Sequence, residues 1–205
     1  MSPPDLLARL AACCLTLLLA CQALQVQATT IVRRDIREVA DGAALVVEGT
    51  VTAVASAPAM EGRAIATTVT IAIDEVLKGS WGEDSIELQY LGGSHNGRSM
   101  SVGAMEIPAA GEHGIYFIRD PHQRFVHPLK GWEQGHFIVA PDGPGGEETV
   151  QAGNGKPVVE LPDGAAPRAQ GLAPGNRVAA GLRTADNPDE RALSAETFRD
   201  WIRNR

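Results

Sequence analysis

Cysteine is scarce in this chain and confined to one end. Its three cysteines, Cys13, Cys14 and Cys21, all lie within the first 21 of 205 residues. A chain that loses its first 28 residues therefore contains no thiol, which excludes a disulfide framework and a cysteine nucleophile. We expect a hydrophobic core to hold the remaining chain together, and its length favours one domain over two.

Apolar runs long enough to span a membrane are also lacking. The clearest run, Leu10–Ala20, has about eleven residues and is too short to cross a hydrocarbon core of ~30 Å as a helix. Its length is typical of the central region of a secretory signal peptide. Residues 1–28 are therefore predicted to be a signal peptide, and the protein to be periplasmic or secreted.

Two processing sites compete at the end of this signal. The small-residue site V-Q-A at 26–28 predicts cleavage after Ala28, so that the mature chain begins at Thr29. The stretch L-L-A-C at 18–21 reads as a lipobox, in which Cys21 would be acylated and would hold the protein at a membrane. We favour cleavage after Ala28 and keep the lipid anchor through Cys21 as the alternative.

Positive charge is not in excess. The 18 basic and 25 acidic residues give a net charge of −7 at pH 7, which argues against nucleic acid and against an anionic lipid surface as partners. We expect the partner to be another envelope or secreted protein, and we expect no membrane span after processing.

Alternating segments dominate the first part of the chain beyond the signal. Ala64–Ile73 alternates strictly with period two and is rich in β-branched residues, which is typical of a strand. The other predicted strands are Ala43–Val54, Ser85–Leu91, Gly114–Ile118, Arg124–Val126 and His136–Ala140. Short strands separated by turns and not by helices predict a mostly β, antiparallel barrel or sandwich over residues 29–140.

The flanking segments have a different composition. Asp35–Asp41 is predicted to be a short helix, and Gly42 to end it. Residues 141–190 contain nine glycines and seven prolines. They predict one hairpin at Asn154-Gly155, followed by a flexible stretch, Pro162–Glu190. Residues 191–205 predict an amphipathic helix capped by Ser194, which we expect to dock on the β domain.

No catalytic motif is present. In residues 93–97, G-S-H-N-G, the serine does not occupy the position of a nucleophile elbow, and no phosphate-binding loop occurs. The five histidines lie between His95 and His136. A zinc site could be imagined from His113, His122, His127 and His136, but spacings of 9, 5 and 9 match no standard ligand set. We therefore predict no catalytic residue, no metal and no cofactor.

Three residues are candidates for contact with a ligand. The pair Gly92-Gly93 could let a ligand or partner backbone approach closely, although a turn with positive φ is the commoner use of such a pair. Trp132 lies in a predicted loop, where it could be an exposed contact residue or could close the end of a barrel.

Several of these stretches resemble known proteins. The resemblance is carried by residues 44–51, residues 69–79, Gly92-Gly93, Gly111-Glu112 before residues 116–118, and residues 134–137. Together they resemble a widespread group of exported bacterial proteins and, more distantly, the netrin-like domain of the tissue inhibitors of metalloproteinases. The resemblance covers about residues 29–140 and implies a small OB-like (netrin-like) antiparallel barrel.

The inhibitor resemblance also implies a mode of action. In that family the free amine and carbonyl of a disulfide-anchored N-terminal cysteine chelate the zinc of a protease. The corresponding residue here is Thr29, and no mature cysteine anchors it. The resemblance thus supports the fold more than it supports inhibition.

The sequence therefore favours an exported, non-catalytic binding module of the bacterial envelope, with a protease among its candidate partners. Two alternatives stay open. One is a structural or accessory envelope lipoprotein, and the other is an enzyme with an unrecognised site in the region from His95 to His136.

Intact-mass measurement of natively exported protein tests the predicted processing. We expect a mass that matches residues 29–205, because the central run, the spacer and the small-residue site all fit signal peptidase cleavage. A mass that begins at Cys21 and includes fatty acyl chains would contradict this expectation and favour the lipid anchor.

Overall fold

The computed structural model describes residues 32–103, 105–162 and 177–205. The predicted signal peptide, Cys21, Thr29 and part of the stretch predicted to be flexible, residues 163–176, lie outside the described residues.

The described residues form ten strands, two short α-helices and one 3-10 turn. In chain order these are α1 (Ile36–Asp41), β1 (Leu45–Ala59), β2 (Ala64–Lys78), β3 (Ser85–Leu91), β4 (Gly93–His95), β5 (Arg98–Met100), β6 (His113–Ile118), the 3-10 turn (Trp132–Gly135), β7 (His136–Pro141), β8 (Glu148–Gln151), β9 (Val158–Glu160), β10 (Arg183–Thr184) and α2 (Ala195–Arg203). The prediction of a mostly β protein with a short helix near each end is confirmed.

Six strands form one antiparallel sheet in the order β3-β2-β1-β6-β7-β8. The long hairpin of β1 and β2 pairs from Val46 opposite Lys78 to Ala59 opposite Ala64. Gly49 marks one irregularity in this pairing, and a Cβ there would lie 2.1 Å from the Ala72 carbonyl oxygen. The close backbone approach explains why a glycine interrupts the apolar face of β1.

Each face of the sheet carries its own apolar core. Successive residues of a strand point to opposite faces, so that Val46 packs with α1, α2 and the segment around Ala179, while Val47 packs on the other side. That second side is covered by loops that contribute Leu129, Met105 and Ile107. The β3 and β8 strands stand at the two ends of the ladder, and the closure that an OB-type barrel requires stays a prediction.

Both helices begin where capping chemistry predicts. The Asp35 side chain accepts a hydrogen bond from the Arg37 amide at 2.8 Å and caps α1. The Ser194 hydroxyl accepts one from the Thr197 amide at 3.2 Å and caps α2. Phe198 of α2 is fully buried, which confirms that the terminal helix docks on the sheet.

A buried ion pair fixes this docking. Glu48, in the middle of β1, has a side chain only 4% exposed. Arg199 of α2 donates from Nε and Nη2 to the two Glu48 carboxylate oxygens, at 2.7 Å each. This two-point geometry is the strongest form of an arginine–carboxylate contact, and Glu148 accepts a further bond from Arg199 at 2.8 Å.

The prediction of strands from the sequence was wrong at two places. Residues 124–126 form no strand, and only the Val126 carbonyl accepts a bond from β3, from the Leu91 amide at 3.1 Å. Pro121 and Pro128 flank the segment, and a proline cannot donate to a ladder. Residues 94–99, which are not among the strands predicted from the sequence, form the hairpin of β4 and β5.

The part of the glycine- and proline-rich segment that the structure describes is packed at some positions and exposed at many others. The hairpin at Asn154-Gly155 is confirmed by the bond from the Ala152 amide to the Lys156 carbonyl at 3.0 Å. Residues 177–190, predicted to be flexible, bury Ala179 and Leu182 against the first core and form β10. Ala179 and Leu182 are packed because the first core supplies apolar partners for them.

Within the described ranges, no helix combines the length and the apolar character needed to cross a bilayer.

The buried ion pair predicts unequal effects of two substitutions in α2. Arg199→Ala removes both hydrogen bonds from arginine to the buried Glu48 carboxylate and should lower the free energy of unfolding by about 3 kcal/mol. Arg203→Ala is the matched control, because Arg203 pairs with Glu75 at the surface and should lose much less. Urea denaturation of both variants measures the difference, and equal losses would contradict the role given to Glu48.

Candidate functional site

The glycine pair Gly92-Gly93 redirects the chain at the end of β3. Both residues have left-handed backbone angles, with φ of 114° and 122°. A Cβ on Gly93 would lie 2.1 Å from Thr67 Oγ1 and 2.6 Å from Ser56 Oγ. The Thr67 hydroxyl donates to the Gly92 carbonyl at 2.7 Å. The pair thus serves as a turn that also needs a close approach to the sheet.

An open cleft lies beside this turn, and we name it the glycine-pair cleft. It has a volume of about 440 Å³ and is open to solvent. Its lining residues are Leu91, Gly92, Gly93, Ser94, Ser99, Met100, Ser101, Val102, Met105, Glu106 and Ile107. Of the four residues that the sequence indicated as contact candidates, Gly92 and Gly93 line one site and Trp132 does not. The fourth, Thr29, lies outside the described residues.

One wall of the cleft is the β4–β5 hairpin, whose strand β5 pairs with β4 and with no other described strand. The turn Asn96-Gly97, with φ of 47° and 75°, joins β4 and β5 as a two-residue hairpin. In such a hairpin the residue pairs alternate between bonded and non-bonded. Ser94 and Ser99 form a non-bonded pair and meet instead through their hydroxyls at 2.8 Å. The backbone N–H and C=O of Ser99 therefore point away from β4.

The other walls of the cleft are apolar and deformable. Leu91, Met100, Val102, Met105 and Ile107 supply aliphatic and thioether surface. Methionine side chains are flexible and polarisable, and they adapt to irregular partners. The cleft therefore combines a hydrogen-bonding hairpin with adaptable apolar walls.

The loop that carries Met105 and Ile107, which we name the apolar wall of the cleft, is attached to the interior through Glu106. The Glu106 carboxylate forms an ion pair with Arg177 at the rim. The Glu106 backbone amide donates to Glu133 Oε1 at 2.9 Å. Because Met105 and Ile107 flank Glu106 in the chain, this bond fixes the loop that carries both of them.

Behind that loop lies a group of buried titratable side chains, which we name the inner polar cluster. Its members are Tyr90, Glu112, Tyr116, His127, Glu133 and His136. The pairing of β6 with β7 places Tyr116 opposite His136, and their rings stack at 5.0 Å. The cluster adjoins the second apolar core, to which both tyrosines belong.

A backbone hydrogen bond fixes the tautomer of the neutral His127 ring. Its Nδ1 accepts a hydrogen bond from the Leu129 amide at 3.2 Å, so the proton of the neutral ring is assigned to Nε2, which faces Glu133 Oε1 at 3.5 Å. At that distance the two atoms are in electrostatic contact without a full hydrogen bond. Burial lowers the pKa of the His127 imidazole below its ordinary 6.5, although Glu133 acts in the opposite direction.

Glu133 stays ionised despite its burial. Burial alone would raise the pKa of its carboxyl group. Contact with His127, together with hydrogen bonds from the backbone amides of Glu133 and Glu106, outweighs burial and brings the pKa below its usual 4.5. A buried carboxylate of this kind is stabilised by directed amides.

A second histidine–carboxylate pair lies in the same cluster. His136 Nε2 is 2.9 Å from Glu112 Oε1 but out of line for a hydrogen bond. The Tyr116 hydroxyl donates to Glu112 Oε1 at 3.4 Å, and burial together with Glu112 raises the pKa of Tyr116 well above its usual value.

The cluster holds unsatisfied hydrogen-bonding capacity. In the part of the chain that the structure describes, four buried polar atoms of the cluster lack a hydrogen bond. They are Tyr90 Oη, His127 Nε2, Glu133 Oε2 and His136 Nε2. Each such group costs about 1–3 kcal/mol, and a native interior tolerates few of them. The polar cluster is therefore kept at an energetic cost that an apolar core would avoid.

Trp132 is folded inward over this cluster. Its ring stacks on the His127 ring at 5.0 Å, and its side chain is half-buried. Its φ of 62° lies in the left-handed region, where a bulky side chain is strained by about 1–3 kcal/mol. Of the two interpretations left open by the sequence, the structure supports the tryptophan that closes the interior.

The histidines that could have made a zinc site do not converge. His113 lies near Glu48 and Asp74, at 3.4 and 3.3 Å, while His122 lies beside Trp81. Among residues 32–103, 105–162 and 177–205, no three His, Cys, Asp or Glu side chains are placed to share a metal ion.

No family model matches this chain, and no curated protein or solved structure matches it either. Its function is therefore argued from the geometry of the cleft and of the cluster behind it.

Proposed function

We propose that this protein is an exported, non-catalytic binding module of the bacterial envelope, which takes an extended segment of another envelope or secreted protein into the glycine-pair cleft. The observation that carries the proposal is that one open cleft contains both a strand with an unpaired edge, β5, and a set of apolar side chains.

The strand edge supplies the backbone part of recognition. The Ser99 N–H and C=O point away from β4, and no other described residue forms a hydrogen bond with them. An extended segment that adds to such an edge gains main-chain hydrogen bonds whatever its sequence. The hydroxyls of Ser94, Ser99 and Ser101 offer further polar contacts along the same wall.

The apolar walls of the cleft supply the side-chain part of recognition. Alternate side chains of an added strand point to the same side, and here they would meet Met100, Met105 and Ile107. We expect the partner segment to carry apolar residues at alternate positions. A protease is one partner class to examine, since the sequence resembles a family of protease inhibitors.

In this proposed function the inner polar cluster is not a reaction centre. The side chains of His127 and Glu133 are 1% and 3% exposed, so no substrate reaches them in this conformation. Their part is to support the cleft from behind.

Single substitutions in the cleft test this function. Met105→Lys places a charge on an apolar wall of the cleft. It should reduce capture of the partner from a native envelope extract at least about tenfold. Ser99→Pro removes the outward N–H of the edge, a position where proline is tolerated, together with the hydroxyl that contacts Ser94, and should also weaken capture.

Met60→Lys is the matched control, because Met60 lies 61% exposed at the tip of the β1–β2 hairpin. The supporting result is a protein retained by the wild type and by Met60→Lys and lost with both cleft variants, each shown by circular dichroism to be folded. Equal capture by all four proteins would overturn the proposal.

A further inference from the structure

We propose that the His127–Glu133 pair positions the apolar wall of the glycine-pair cleft, and that uptake of a proton by this pair releases the wall, so that the cleft changes shape in acid. This inference rests on the proposed function for its biological meaning, because the cleft is the binding site assigned there.

A short series of contacts connects the pair to the wall. His127 Nε2 faces Glu133 Oε1 at 3.5 Å. The same carboxylate oxygen accepts the Glu106 amide at 2.9 Å, and Glu106 lies between the two wall residues Met105 and Ile107. A change at the imidazole therefore reaches the cleft through one carboxylate and one backbone amide.

Three elements near His127 contribute groups that its charge would affect. Strand β3 contributes the Tyr90 ring at 5.1 Å, and the 3-10 turn contributes Glu133 and the stacked Trp132. Strand β7 contributes His136, whose positive form would repel a charged His127.

The remaining contacts of the pair come from backbone amides and from the rim. His127 Nδ1 is occupied by the Leu129 amide at 3.2 Å. On the far side of Glu133, the ion pair of Glu106 with Arg177 ties the wall to the rim of the cleft.

Proton uptake breaks a contact on either member of the pair. A proton added to His127 must go to Nδ1, which then can no longer accept from Leu129. A proton added to Glu133 removes the charge that attracts the Glu106 amide. Both changes loosen the segments that close the interior beside the cleft.

The direction of the effect follows from linkage. In the closed form the pKa of His127 lies below 6.5, whereas an imidazole exposed to water titrates near ~6.5. The open form therefore binds the proton more tightly than the closed form, and acid favours opening. The effect should begin as the pH falls below about 6.5 and grow until the closed form itself takes up the proton.

Methionine methyl resonances report on this wall without a bound partner. The full chain has four methionines, and carbon-13 labelling of their methyl groups allows a titration by NMR. We expect the Met105 and Met100 resonances to shift with a midpoint below about 6.5, and the Met60 resonance at the exposed hairpin tip to stay in place.

Two variants separate His127 from the other titrating groups. His127→Asn keeps an acceptor near the position of Nδ1 for the Leu129 amide but cannot take up a proton, and it should abolish the shift at Met105. His113→Gln alters a histidine that lies beside Glu48 and Asp74, and it should leave the shift intact. Glu133→Gln carries no charge and so mimics the protonated carboxyl group opposite the Glu106 amide. It should move the Met105 resonance toward its acid position already at neutral pH and should reduce the further shift on acidification.

The inference is overturned if Met105 does not respond to pH, if it responds equally in His127→Asn, or if Met60 moves together with it, as general acid unfolding would cause. Since no partner takes part, these outcomes are independent of the capture experiment. A pH-sensitive cleft without a partner would overturn the proposed function alone.

Discussion

A charge buried inside a protein requires partners, and two buried carboxylates organise this fold. Glu48 on β1 and Glu133 in the 3-10 turn have side chains exposed by only 4% and 3%. Glu48 binds Arg199 and so fastens the terminal helix to one face of the sheet. Glu133 binds the Glu106 amide and contacts His127, and so fastens the cleft loop beside the other core. Glu48 thus ties the terminal helix to the sheet, and Glu133 ties two loops to the 3-10 turn.

The two attachments differ in what they permit. The Glu48–Arg199 contact is a two-point ion pair with an arginine, and several further bonds surround it. The Glu133–His127 contact involves an imidazole, the side chain that changes charge most readily near neutral pH. The first attachment is therefore suited to permanent docking, whereas the second lies where a change of pH can alter the molecule.

Local patterns were sufficient to predict much of the fold. Ser85–Leu91 has the predicted bounds because strict alternation ends at a glycine pair. The two helices begin at Asp35 and Ser194, where capping residues precede an apolar face. The β4–β5 hairpin was missed because residues 94–99 show no hydrophobic alternation, although the Asn96-Gly97 pair was a usable turn signal.

The candidate site was less accessible to sequence reasoning, because it is assembled by tertiary contacts. Gly92 and Gly93 were recognised, but the cleft also needs Met100 and Met105, which carry no motif. The inner polar cluster depends on the strand pairing that brings His136 beside Tyr116 and on a loop that turns His127 inward. Glu112 and Glu133 were visible as acids in a histidine-rich stretch, yet spacing alone could not show which histidine each would meet.

The most direct measurement for this account is photo-crosslinking inside living cells from a photoreactive residue placed at Val102 in the cleft, compared with one placed at Met60. An adduct with a second protein is expected from position 102 and none from position 60. Mass spectrometry should place the crosslink on an apolar residue of an extended segment of that protein. Adducts from position 60 alone, or adducts from position 102 only within the chain itself, would contradict the claim that this cleft binds a partner.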